Sequence, residues 1–162
     1  MTTTRERSRT ATITKPSDRE IHVERTFDAS RDRVWRAMTD PKQIAQWWGR
    51  GNTLVVERLE VERGGHWRFV EHSSSGVHGF EGRYREVTPL ERIVCTFEWD
   101  GMPGHVIVET MELHDLGDGR TKLVTTSLFH TAEERDGMLN SGMETGMNES
   151  YAALDRLLAK PE

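Results

Sequence analysis

The chain has one cysteine, Cys95, in 162 residues. An internal disulfide is therefore excluded, and a reducing, cytoplasmic setting is expected. Long apolar runs are missing too: no stretch approaches the roughly 20 residues that a membrane-spanning helix needs. The opening MTTTRERSRTATITKPSDRE is polar and carries no secretion-signal core, so residues 1–19 read as a disordered lead-in to one domain over 20–160. Basic charge is in deficit, with 22 Lys and Arg against 27 Asp and Glu and a net charge of −5. That balance gives no electrostatic basis for a nucleic-acid partner. There is no G-x-S-x-G elbow, phosphate-binding loop or dinucleotide fingerprint. The seven histidines never stand with two further ligands at a recognisable metal spacing. His105 with Glu109, and Glu112 with His114, share strand faces without a third donor. No metal and no cofactor are expected.

Periodicity is what the chain does have. Ile21, Val23 and Arg25 alternate with His22 and Glu24, a short strand running to Phe27. Ser30 is a suitable N-cap for a short helix through Thr39. Asp40-Pro41 restarts a second helix carrying Ile44, Trp47 and Trp48, with aspartate as cap and proline in the first turn. From Thr53 to Phe129 the period is two, broken by glycine, serine and proline turns, which predicts six antiparallel strands in a meander. Thr131 and Glu134 form a capping-box signature for one long helix over 131–160.

That helix is the most informative segment. Leu139, Met143, Met147, Tyr151, Leu154 and Leu158 recur as one stripe, suited to cover the apolar face of the sheet. Gly137, Gly142 and Gly146 lie on or beside the stripe, at about 1 kcal/mol each relative to alanine in a helix interior. Three such costs imply that absent side chains leave space, and methionine is an adaptable filler of binding surfaces. The helix reads as the lid of an apolar cavity.

VWRAMTDPKQIAQWWG (34–49), ERGGHWRFV (62–70), GFEGRYREVTP (79–89), ERIVCTFEW (91–99), GDGRTKLVTT (117–126) and the closing helix occur in that order. Together they resemble the SRPBCC superfamily, the START-like and birch-allergen-like proteins. Within it the chain is similar to the bacterial branch related to the activator of the ninety-kilodalton heat-shock protein ATPase. The resemblance implies an α+β helix-grip fold. In it a curved antiparallel sheet of about seven strands wraps on a long C-terminal helix, with two short helices after the first strand. It also implies a hydrophobic cavity between sheet and helix. Related proteins bind lipids, carry or cyclise polyketides, sequester metabolites or assist a chaperone, so the fold leaves the activity open.

Strand alternation proposes the lining. Trp67 and Phe69 share a face, as do Phe80, Gly82 and Tyr84. Cys95, Phe97 and Trp99 are in phase, as are Ile107, Glu109 and Met111, and Leu123, Thr125 and Ser127. Trp48 is placed at the cavity and Trp47 in packing. Met138, Gly142, Met143 and Met147 close the space from the helix. The same side chains could instead fill a solid core. Glu109 is the notable ionisable group, because apolar surroundings would raise its pKa and suit it to proton transfer. Pairing with Arg83 or Arg85, or exposure to water, are its plainer alternatives. Cys95 reads as a buried, inert thiol.

The expected function is binding of a small hydrophobic or aromatic molecule, oriented by Glu109, Tyr84 or Ser127. An alternative is an enzyme of the polyketide cyclase or hydrolase type, using Glu109 or a histidine as acid or base. A further alternative is a chaperone-activator-like interaction module. Chaperone contact is not expected, because the resemblance implies an additional N-terminal domain in those activators. No surface singles out a dimer interface, which leaves a homodimer open.

Overall fold

The computed structural model describes residues 10–161. Its order is β1 (Thr12–Thr14), β2 (Glu20–Phe27), α1 (Arg31–Thr39), α2 (Pro41–Trp47), β3 (Thr53–Leu59), β4 (His66–Ser73), β5 (Gly76–Thr88), β6 (Arg92–Trp99), β7 (Ile107–Asp115), β8 (Thr121–Leu128), α3 (Ala132–Leu139) and α4 (Met143–Leu158). All strands join one antiparallel sheet in the order β1-β2-β8-β7-β6-β5-β4-β3. With α4 against the inner face, this is the helix-grip fold.

Local chemistry sets the helix starts. The Ser30 hydroxyl accepts from the Arg33 N–H at 3.2 Å and the Asp40 carboxylate from the Lys42 N–H at 2.9 Å. Each satisfies an orphan donor of a first turn. Thr131 accepts from the Glu134 N–H at 3.1 Å, while the Glu134 carboxylate turns to His105 instead of closing the box.

Two sequence expectations change. Part of the 1–19 lead-in is structured: Thr12–Thr14 pairs with His22–Glu24 as an edge strand, and Ala11 is buried. This raises the sheet to eight strands. Residues 1–9 lie outside the described residues. The single helix over 131–160 is in fact two. Asn140 caps α3, and Gly142 adopts φ +84 before α4 begins. Glycine enters that left-handed region without the Cβ penalty that other residues meet.

The core follows the alternation. Ile21, Val23 and Phe27 of β2, Leu123 of β8 and Leu113 of β7 meet Val34 and Ala37 of α1 and Tyr151, Leu154 and Leu157 of α4. A second cluster joins Trp67, Phe69, Tyr84, Ile93 and Cys95 to Ile44 and Leu54. A bulge between Tyr84 and Glu86 shifts the register, so that Tyr84 and Val87 oppose Cys95 and Ile93. Gly82 admits a close approach: a Cβ there would strike the Thr96 carbonyl and Trp67. In its place the Trp67 Nε1–H donates to the Thr96 carbonyl at 3.2 Å.

Candidate functional site: the inner face of the sheet

The inner face carries two kinds of side chain. Ile107, Leu113 and Leu123 are buried, as are Trp67, Phe69, Tyr84 and Cys95. Between and beside them, Trp48, Phe80, Phe97, Glu109, Met111, Thr125 and Ser127 keep part of their surface accessible. An inward-facing side chain with accessible surface borders space that a solvent molecule can enter. Met138, Met143 and Met147 pack against the same core from α3 and α4.

The aromatic members touch in series. Trp48 stands edge-on to Phe69 and Phe80, each at 5.2 Å between centroids. Phe80 is 5.5 Å from Phe97, which lies 5.9 Å from Trp67. Such offset and edge-to-face contacts are the favoured aromatic geometries. Trp48 reaches this position because it ends α2 in an extended conformation, φ −74 and ψ 139. Its neighbour Trp47 is buried and donates from Nε1 to the Ala37 carbonyl at 2.8 Å.

Glu109 sits where the aromatic row meets the strand pair β7–β8. It opposes Cys95 on one side and Ser127 on the other. Its side chain is largely enclosed but keeps part of its surface accessible. Desolvation raises its carboxyl to about 7, partly offset by a hydrogen bond from Ser127. Neither Arg83 nor Arg85 pairs with it; both are exposed. Tyr151 of α4 is pushed up to about 12 by burial, with Thr125 as hydrogen-bond partner and with Glu109 and Arg25 as nearby charges. Burial, with Glu109 adding to it, also pushes the Cys95 thiol up. The result is a short polar row, Glu109, Ser127, Thr125 and Tyr151, set in an apolar and thioether surface.

Two charged pairs frame this face. Arg25, inward on β2 and 3% exposed, makes a bidentate pair with Asp155 of α4 at 2.9 and 2.6 Å. Glu71, inward on β4 and 1% exposed, receives Arg50 at 2.7 and 3.3 Å. Sequence reading missed both pairs. Their signal was present in the alternation, since Arg25 continues Ile21 and Val23, and Glu71 continues Trp67 and Phe69.

Several expected lining positions stand elsewhere. Trp99 is 37% exposed and lies over Gly101, its ring 6.1 Å from that of His78, at the outer end of β6. Strand phase was right for Trp99, but the strand outruns the cover above it. Gly142 is an exposed helix start, and a Cβ there or at Gly137 would meet nothing within 4 Å. Gly146 does allow a close approach, but to Arg50, whose side chain a Cβ would strike. Gly142 therefore serves a helix break and Gly146 an arginine seat, while Gly137 stands in open space. Tyr84 is too deeply buried to border the accessible space. Among the described residues, no three His, Cys, Asp or Glu side chains converge as metal ligands.

The family described as "Activator of Hsp90 ATPase homolog 1-like protein" matches residues 28–159. The chain belongs to that family. The SRPBCC resemblance of the sequence is thereby shown. No curated protein matches the chain. Among solved structures, a Rhodobacter sphaeroides protein is 28% identical with a TM-score of 0.86, over 94% of this chain and 99% of its own. A Chromobacterium violaceum protein is 27% identical with a TM-score of 0.76, over 90% of this chain and 100% of its own. An Arthrobacter aurescens protein, 24% identical with a TM-score of 0.83 over 93% and 92%, shares the fold. Each of the three covers at least 90% of this chain. Among the described residues no helix is long and apolar enough to cross a membrane.

Proposed function

We propose that this protein binds a small, largely apolar molecule between its sheet and α4. The observation that carries this reading is the partly accessible inward row from Trp48 through Phe80 and Phe97 to Glu109 and Ser127. Pockets of this kind, mostly apolar with a few convergent polar groups, are the usual form of small-ligand sites. Removing apolar ligand surface from water at about 25 cal/mol per Å² drives binding, less the cost of immobilisation. Glu109, Ser127 and Tyr151 would orient the ligand. A reducing cytoplasmic location suits the lone buried thiol.

Titration with N-phenyl-naphthylamine, an uncharged dye that brightens in apolar surroundings, tests the reading. Saturable uptake at one dye per chain is expected, and Ser127→Leu, which fills the space beside Glu109, should abolish it with the melting transition retained. Absence of saturable uptake, or uptake unchanged in Ser127→Leu, rejects the site. Native mass spectrometry of protein purified from its own host would then identify the resident molecule.

A second reading is proton transfer on the bound molecule. It is favoured by one observation, a carboxyl held near neutrality inside an apolar space. It requires turnover that falls about a hundred-fold or more in Glu109→Gln. Binding without turnover removes it.

A further inference from the structure

The polar row of the inner face is unbalanced in charge. Glu109 is its acid, and the groups that face it are the Cys95 thiol from β6, the Ser127 hydroxyl from β8 and Tyr151 from α4. Arg25 stands close enough to act on Tyr151, but both terminal nitrogens of its guanidinium are committed to Asp155. No ion pair joins Glu109 to a Lys, Arg or His among the described residues. The two other enclosed charges on this face each have a partner: Arg25 has Asp155 and Glu71 has Arg50. Charges in protein interiors are normally paired, because an isolated one is expensive to desolvate.

The surroundings of Glu109 also have a definite electrostatic character. On the same face, Phe97 lies one step along β6 from Cys95, the residue opposite Glu109, and Phe97 continues into Phe80 and Trp48. Aromatic faces carry negative quadrupole density and attract cations, most strongly where water is excluded. Met111, next in phase to Glu109 on β7, adds a polarisable thioether. A carboxylate at the end of an aromatic row matches a cation on an apolar frame. It does not match an anion, and a neutral molecule would offer it no opposite charge.

We infer that the occupant of this site is an apolar or aromatic amine, whose ammonium pairs with Glu109 while its frame lies along Phe97, Phe80 and Trp48. This rests on the binding reading above and adds to it the charge of the ligand. An ammonium donates to the carboxylate in a charge-assisted hydrogen bond, the stronger class of such contacts. The overall charge of −5 favours the approach of a cation. Proton linkage follows from the same geometry. The ammonium needs Glu109 ionised, so its affinity should fall as the carboxyl takes up a proton, below about pH 7. The facing thiol and phenol stay neutral throughout that window.

Calorimetric titration of the full chain with naphthylmethylamine and with naphthylmethanol tests this, because the two share a frame and differ in charge. Near pH 8 the amine should bind about ten-fold tighter or more, and the preference should vanish near pH 5.5. Glu109→Gln should abolish the preference near pH 8, with amine and alcohol then binding within about three-fold of each other. Equal or weaker binding of the amine near pH 8, or a preference that survives in Glu109→Gln, overturns the inference. Alcohol binding with no amine preference rejects the inference alone. No binding of either probe rejects the pocket as well. Should Glu109→Gln fail to fold, the pH dependence of the wild-type chain decides the same question: an amine preference that persists unchanged at pH 5.5 overturns the inference.

Discussion

Arg25 and Asp155, 130 residues apart in sequence, form a two-point bridge from the inner face of β2 to α4, at 2.9 and 2.6 Å. The guanidinium also lies 4.6 Å from the Phe27 ring centroid and donates to the Thr26 carbonyl at 2.8 Å. Its side chain is 2% exposed, that of Asp155 32%. The bridge locks the covering helix to the sheet at the end remote from Gly142. Removing Asp155 takes the bidentate carboxylate from a buried cation, so Asp155→Ala should lose about 2–4 kcal/mol, somewhat less than a fully buried pair because the carboxylate is partly solvated. Urea unfolding followed by circular dichroism measures it. A loss under about 0.5 kcal/mol would place the pair with inconsequential surface bridges.

Glu109 should make the protein less stable as pH rises. Its folded pKa, about 7, lies above the ordinary 4.5. Between those values the folded state binds more protons than the unfolded chain, so stability falls with rising pH. The penalty is absent below about pH 4.5 and complete above about pH 7, with a size of about 3 kcal/mol. Glu109→Gln should therefore stabilise the protein near pH 8 and do little near pH 4. Thermal melts at both values decide it: a mutant that melts lower near pH 8 contradicts the raised pKa.

Gly146 and Arg50 should be coupled with a change of sign. A Cβ at Gly146 collides with the Arg50 side chain, which holds Glu71. Gly146→Ala alone should destabilise by displacing that guanidinium from a buried carboxylate. In an Arg50→Ala background the same change meets no obstruction, and helix propensity should make it favourable by about 1 kcal/mol. A double-mutant cycle measures the difference. Additive effects would show that the close approach carries no energy.

Gly142→Ala should destabilise by about 1 kcal/mol or more, because alanine is strained at φ +84 while open space receives its methyl. Denaturant midpoints test this, and an unchanged or raised midpoint would argue for one continuous helix.

Cys95 should be silent in the native state. It is 3% exposed, and burial pushes its thiol well above the ordinary range. Reaction with a disulfide reagent should track global unfolding across a urea series. Rapid native labelling would place an opening beside β6.

Much of this arrangement was legible in the amino-acid order. Period-two patterning placed Phe97, Glu109 and Ser127 on the inner face, and the bulge at Tyr84–Glu86 left the residues before it in phase. Asp40-Pro41, Ser30 and Thr131 marked the helix starts because capping is a local reaction between near neighbours. The break at Gly142 escaped notice because a methionine and leucine stripe continues through it, and periodicity cannot register a reversal of φ. The strand at Thr12–Thr14 was missed because Thr-Ile-Thr is too short to carry a pattern; pairing with β2 makes it a strand.

What the sequence determined alone was the set of local preferences: which residues extend, which coil, where each helix begins, and which side of each strand is apolar. Those follow from backbone sterics, capping and the hydrophobic effect acting over a few residues. Tertiary structure alone decided which charges meet. Arg25 finds Asp155 and Arg50 finds Glu71 across spans that no window of sequence covers, and Glu109 finds no cation among the described residues. Trp99 shares a face with Phe97 yet stands outside, because coverage depends on where α3 and α4 end. Burial and pairing are sums over the whole fold, and long-range Coulomb and packing terms fix them only after the chain has closed on itself.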